Sequence, residues 1–341
     1  MEACIFVFWR DIMNSELNYK QGTRFYLFMA TLFITVSVVA DLFFRKMLEY
    51  HTVGKMAPTV FLSEGVIFIP LLIYLVSKKV NLKKVFRFNK ISLKQLALCF
   101  VLFLCSEFVS MFIQNTVMLI LKFFNMTYKA QAIPDPHNGK ELLILIILVA
   151  VIPAFCEDCF FRGFLLTCFQ KKGLKYAAVC SGFAFALLHF NAYIFFGIFY
   201  LGIILALSVY YTNSIWAGIF IHFCNNSFSC ILKFIYTKAL GLNANKIIAN
   251  SQKTITPNML AMQLVYLGVI AAGAIIVTYF VLEKLRKMWI ENGGLQREAE
   301  IVEEKFPLSK IFNVDIVTVI IIYIIFTMFL GYIIRFFMKL G

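Results

Sequence analysis

Glu157, Asp158 and Arg162 stand inside a long apolar run that begins at Leu142. A charge at membrane depth costs roughly 2.5 to 3.5 kcal/mol on insertion scales, so such a group has either a partner or a task. On a helix, Asp158 and Arg162 fall at i and i+4, the spacing of an ion pair. Glu157 points about 100° away from Asp158 and is left without that cation. One reading makes all three a single structural cluster. The sharper one has Arg162 holding Asp158 in place while Glu157 stays free to move protons. Two of the four histidines, His189 and His222, also fall inside apolar runs. Asn226 follows His222 at i+4, on the same helix face. A carboxylate out of water is a stronger base than one in water, and His and Asn are suitable donors to an oxyanion in a water-poor site. Glu157, His189, His222 and Asn226 therefore have the chemistry for activating water against an acyl bond. Glu157, His189 and His222 would equally make the two-histidine, one-carboxylate set of a catalytic zinc. The sequence holds neither an intramembrane Ser–His–Asp set nor a His-Glu-x-x-His stretch. Cys156-x-x-Cys159 lacks a second cysteine pair and reads as two incidental small residues.

These groups need helices to bring them together. Glu157 and His189 lie sixteen residues on either side of Gly173, within a Lys171-Lys-Gly-Leu-Lys175 turn. An antiparallel hairpin about that turn puts them at one level. His222 lies nine residues past a second turn at Asn213, about 14 Å into the next helix. With Gly173 and Asn213 on the same side, three helices can present the four groups to one cavity.

The composition sets the environment. The chain has 341 residues, 61% of them hydrophobic and 15% charged, which excludes an ordinary soluble domain. Apolar runs of about 20 residues give nine expected spans: 25–44, 58–77, 96–121, 141–163, 176–192, 194–211, 214–235, 259–282 and 314–334. The fold class is thus an all-α polytopic membrane protein, a bundle of about eight or nine transmembrane helices around an intramembrane cavity. The organisation divides into N-terminal spans (1–130), a core carrying the polar residues (131–240) and C-terminal spans (241–341). The net charge of +14 is spread along the flanks of the spans, which fits a membrane and not nucleic acid. Nineteen of the 32 Lys and Arg residues fall on the N-terminal side of the predicted topology, which makes that side cytoplasmic and the cell membrane the expected location. The Lys78–Lys94 loop, with apolar residues among its lysines, reads as an amphipathic helix lying on anionic lipid. The first residues carry no cleavable signal pattern, and Phe6-Val-Phe-Trp9 reads as an interfacial cluster.

Glu157-Asp158-x-x-x-Arg162, Phe185-x-x-x-His189 and His222-x-x-x-Asn226, in that order, resemble the three motifs of the CAAX-protease and bacteriocin-processing family of intramembrane proteases. Pro153, Phe161-Arg-Gly163 and Ser214-Ile-Trp-Ala217 add to the likeness, which spans about residues 141–230. One departure is plain. The family usually carries two glutamates, and the second position here is Asp158. The resemblance implies peptide-bond hydrolysis at a site opening towards the cytoplasm. It assigns proton abstraction from water to Glu157, positioning of that water to His189, and oxyanion binding to His222 and Asn226. Asp158 and Arg162 become structural support. The implied partners are the lipid bilayer and a peptide or protein substrate, prenylated or not; no nucleic acid is implied. The cofactor is open, either none or a divalent metal such as zinc held by Glu157, His189 and His222. Two further readings stand beside this one. A proton-coupled transporter would use the buried acids Glu107 and Asp41, the latter spaced to pair with Arg45. A scaffold or immunity protein would bind peptides without cutting them.

Overall fold

In hydrocarbon every backbone polar group must be bonded within its own segment, so apolar runs of this length become helices. The computed structural model describes residues 17–48, 52–124, 133–239, 256–301 and 321, and among them there is no strand. The order is α1 (Tyr19–Leu48), α2 (Ala57–Ser77), the single turn α3 (Leu82–Val85), α4 (Leu93–Phe123), α5 (Gly139–Lys172), α6 (Leu174–Leu188), α7 (Phe195–Thr212), α8 (Ile215–Ala239), α9 (Pro257–Glu291) and α10 (Gly294–Ile301). Local chemistry explains several starts. Ser92 and Gln95 form a reciprocal capping box for α4, Asn138 accepts from Glu141 N at α5, and Thr256 precedes Pro257 at α9.

Seven of the described helices are long and apolar enough to cross a membrane. The expected fifth span, 176–192, is instead the short helix α6 of 15 residues. Ala, Gly and Ser make α6 slim enough to pack inside the bundle, and eleven of its residues are buried. The expected ninth span at 314–334, the Phe6–Trp9 cluster, and the side chains of Asp41 and Arg45 lie outside the described residues.

Helix α5 is not uniformly α-helical. Its hydrogen bonding widens to the π pattern at Ile147–Val151 and again at Cys159–Leu165, leaving a seven-residue α segment, Ile152–Asp158, that ends on the two acids. Pro153 sits in that segment and has no N–H to offer the carbonyl of Val149 four residues back. The side-chain amide of Asn226 on α8 donates to that carbonyl at 2.9 Å. Gly173, at φ +96°, closes α5 against α6 as the hairpin turn.

Helices α6 and α7 meet at a glycine pair. A Cβ on Gly182 would stand 2.9 Å from the Ile203 nitrogen, and one on Gly202 would stand 2.7 Å from the Gly182 Cα. Both obstacles are backbone, so no side-chain rotation relieves them, and the crossing works only with small residues. Gly182→Val is expected to destabilise the protein by about 1–3 kcal/mol or more. Thermal unfolding of the solubilised protein should show a lowered midpoint, and an unchanged midpoint would mean that the two helices separate at no cost.

The Lys78–Lys94 segment corrects its expectation. It contains only one turn of helix, with Lys79 and Arg87 in the left-handed region at φ 54° and 50°. Its apolar residues up to Ile91 pack on the protein: Val85 and Phe86 are buried, and Val80, Leu82, Phe88 and Ile91 lie against the main core. Phe86 lies so close to Gly163 that a Cβ there would stand 2.6 Å from its ring. The loop is stitched to the ends of three spans. Thr167 Oγ1 donates to Val85 O at 3.2 Å, Asn89 Nδ2 to Asn213 O at 2.7 Å, and Ser214 Oγ to Asn89 O at 2.7 Å. The Ile215 amide, an orphan donor at the start of α8, donates to Arg87 O at 3.1 Å. A lysine-studded amphipathic pattern thus became a plug, because the bundle end offered its apolar side chains a better cover than lipid.

Candidate active site

Asp158 is fully buried and serves two partners. Its Oδ1 lies 3.3 Å from Arg162 Nε, the ion pair expected from the spacing, with both side chains shielded from solvent. Its Oδ2 lies 2.8 Å from His222 Nδ1. A buried carboxylate facing Nδ1 accepts that nitrogen's proton, which leaves Nε2 of a neutral imidazole with its lone pair. Glu157 Oε2 stands 3.7 Å from that Nε2 and makes no hydrogen bond among the described residues. The two neighbouring acids therefore address the two nitrogens of one imidazole. At 3.7 Å, Glu157 and His222 are spaced to share a proton through a small movement or one intervening water.

Aromatic rings hold the charged groups. The Arg162 guanidinium lies 4.0 Å from the centre of the Phe185 ring and 5.7 Å from that of Phe161. Phe185 also stands edge-on to His189 and His222, at 4.8 and 5.5 Å between centroids. A cation over an aromatic face out of water is worth about 2 kcal/mol, which helps to offset burying Arg162. The residue one turn before His189 is thus the hub between both histidines and the arginine. His189 Nδ1 lies 2.9 Å from Phe185 O, so this ring too keeps its proton on Nδ1 and its lone pair on Nε2.

Exposure divides the cluster into two tiers. Asp158, Arg162 and His222 are buried, whereas Glu157, His189 and Asn226 are partly exposed. Glu157 stands beside His222, and His189 joins through Phe185. The amide of Asn226 already holds Val149 O, and its Oδ1 accepts from Asn225 Nδ2 at 3.2 Å. Its second amide hydrogen leaves room for one more acceptor.

Three residues that sequence reasoning did not single out also shape the site. Gly218 on α8 lies against Asp158, where a Cβ would stand 2.9 Å from Oδ1. Any larger residue there pushes on the carboxylate. Phe185 was read only as a motif letter. Glu64 is buried on α2, which packs against the Ile152–Asp158 segment, and its Oε2 has no hydrogen-bond partner among the described residues. An acid within the apolar run 58–77 was the available signal for it.

Among the described residues no three His, Cys, Asp or Glu side chains are grouped to hold a metal ion. His222 Nδ1 is committed to Asp158 and His189 Nδ1 to Phe185 O, which leaves Nε2 of each ring with its lone pair. Cys156 and Cys159 are free thiols, as are the other six described cysteines.

Residues 139–228 match the family model described as type II CAAX prenyl endopeptidase Rce1-like. The matched segment runs from the start of α5 into α8 and contains Glu157, Asp158, Arg162, Phe185, His189, Gly218, His222 and Asn226. It bears out the resemblance read from the three motifs. No curated protein and no solved structure matches the chain.

Proposed function

We propose that this Rce1-like segment makes the protein an intramembrane endopeptidase of the CAAX type, with Glu157 as general base. The observation that carries the reading is the line Arg162–Asp158–His222–Glu157, at 3.3, 2.8 and 3.7 Å, inside the matched segment. Glu157 takes a proton from a water lying between it and the scissile carbonyl, and that water attacks the carbon. His222, oriented by Asp158, receives the proton from Glu157 at Nε2 and returns it to the leaving amine. This assigns His222 to proton transfer as well as to the oxyanion side. The Nε2 of His189 accepts a hydrogen bond from the same water, and the second amide hydrogen of Asn226 donates to the oxyanion. Each donor is fixed beforehand by a bond of its own, so little reorganisation is needed as charge develops.

The substrate is a peptide or protein presented from the bilayer, and a prenylated C-terminal segment suits a site reached through lipid. The loop end of the bundle gathers Lys78–Lys94, Gly173 and Asn213, and the excess of cations there makes it cytoplasmic. The test is cleavage of a panel of prenylated and unmodified peptides by the full chain in a bilayer, with products identified by mass. Prenylated peptides are expected to be cut, and cleavage should persist after chelation. Activity lost to a chelator and restored by stoichiometric zinc would replace the glutamate mechanism with the metal one. No cleavage of any peptide would favour the non-catalytic reading. A proton-relay reading draws on the carboxyl oxygens of Glu64 and Glu107 that have no hydrogen-bond partner among the described residues, and proton flux in vesicles without peptide hydrolysis would support it.

A further inference from the structure

At the loop end of the bundle, away from Glu157, the structure holds a cleft of about 370 Å³. Its walls come from the 78–92 loop and from the ends of α5, α7, α9 and α10, and they include Lys83, Lys84, Arg87, Tyr210, Trp289 and Arg297. We infer that this cleft is a binding site for a phosphate group, of the kind carried by an anionic phospholipid headgroup.

The charge around it is unbalanced. Four cations face one acid, Glu298, and none of the four has an ion pair among the described residues. Several uncharged polar groups of the wall are already committed: Asn81 accepts from Lys84 N, Asn89 donates to Asn213 O, Thr167 donates to Val85 O, and Gln170 accepts from Arg87. The cations are therefore what a ligand meets. Arg87 is the decisive one. It is 93% buried, its guanidinium lies 5.6 Å from the centre of the Tyr210 ring, its Nη2 donates to Gln170 Oε1, and its Nη1 has no hydrogen-bond partner among the described residues. Burial lowers its pKa to about 10, with Tyr210 acting the other way, so it remains cationic at neutral pH. An unpartnered guanidinium nitrogen in a buried wall is costly unless an anion meets it, and the planar fork of arginine matches phosphate oxygens. Lys83, Lys84 and Arg297 line the rim, with Arg297 Nη1 donating to Asn292 O at 2.7 Å and its other nitrogens left for a ligand. Trp289, packed on Tyr210 and Tyr211 at 5.5 and 6.0 Å, offers the apolar yet wet surface found where headgroups begin. A basic pocket between span ends is the setting in which phosphate headgroups are held.

The site is independent of the hydrolytic reading, and its test reads binding, not activity. The full chain is placed in phosphatidylcholine nanodiscs with increasing phosphatidylglycerol. Retained lipid is counted by native mass spectrometry, and the melting midpoint is followed in parallel. Glycerol 3-phosphate and inorganic phosphate are the soluble arms. Arg87→Gln could disturb the loop through Gln170, so the main variant is Lys83→Gln/Lys84→Gln/Arg297→Gln, whose side chains are exposed. A control with the same charge change, Lys90→Gln/Lys94→Gln/Lys175→Gln, alters exposed cations outside the cleft. One saturable phosphatidylglycerol is expected, bound about 100-fold more weakly by the cleft variant, from three cations near the surface. The control should bind as the natural chain does. Stabilisation by glycerol 3-phosphate or phosphate, lost in the cleft variant, would keep the phosphate site and make its ligand soluble. Retention of phosphatidylglycerol no tighter than phosphatidylcholine, with no response to the soluble arms, would overturn the inference. Equal losses in both variants would also overturn it, by reducing the effect to net charge.

Discussion

Glu157→Gln is expected to reduce peptide cleavage by about 10²- to 10⁴-fold, the usual contribution of a positioned general base. The amide keeps the shape of the carboxyl and cannot accept the proton of the attacking water. Folding should survive the change, because Glu157 Oε2 makes no hydrogen bond among the described residues. A neutral side chain is also easier to bury than a charged one. Glu157→Asp is the informative companion. It retains a base but withdraws it from His222 Nε2, which now lies 3.7 Å away. A partial loss in Asp beside a near-complete loss in Gln is the expected pattern, measured as kcat/KM on one prenylated peptide. Full activity in Glu157→Gln would falsify the assignment.

Asp158→Asn is expected to cost about 3–5 kcal/mol of stability, the range for breaking one side of a buried charge pair. The reasoning is a count of acceptors. The carboxylate meets Arg162 with one oxygen and His222 with the other, at 3.3 and 2.8 Å. An amide has a single acceptor oxygen, so whichever partner it keeps, the other faces an N–H. Even where the amide oxygen turns to Arg162, the buried guanidinium has lost its counter-charge and keeps the Phe161 and Phe185 rings against it. A double variant separates stability from orientation. Asp158→Asn/Arg162→Met removes the stranded cation, so the melting midpoint should largely recover. Cleavage should not recover, because His222 Nδ1 still lacks its carboxylate. Recovery of both together would mean that Asp158 serves only to neutralise Arg162.

Much of this cluster was legible from spacing alone. The four-residue step from Asp158 to Arg162 gave the ion pair, and the sixteen-residue symmetry about Gly173 gave the hairpin, whose turn is indeed a glycine at φ +96°. The joint approach of Glu157 and Asp158 to His222 was not legible. A uniform helix places adjacent side chains about 100° apart; which of them meets a neighbouring ring depends on the π-helical stretches that flank them and on the approach of α8 through Gly218. Backbone hydrogen-bonding changes of that kind leave no periodic trace. The capture of Val149 O by Asn226 could have been anticipated from Pro153, but only with α8 already placed. Glu64 illustrates the same limit. A single acid in an apolar run announces a partner without saying which helix will bring it.

The loop that plugs the bundle also fixes an order of assembly. Asn89 finds its two partners at Asn213 and Ser214, which are 124 and 125 residues further along the chain. At about 5–20 residues per second, a ribosome needs about 6 to 25 s to make that interval. Throughout it, the first spans are already in the bilayer, while the polar edge of the loop has only water to bond. The helices bearing Glu157 and His189 emerge during this wait, and His222 follows Ser214 by eight residues. Closure of the plug and completion of the Asp158–His222 bond thus belong to the same late moment of biosynthesis. A chain interrupted before residue 213 carries both acids without either lock.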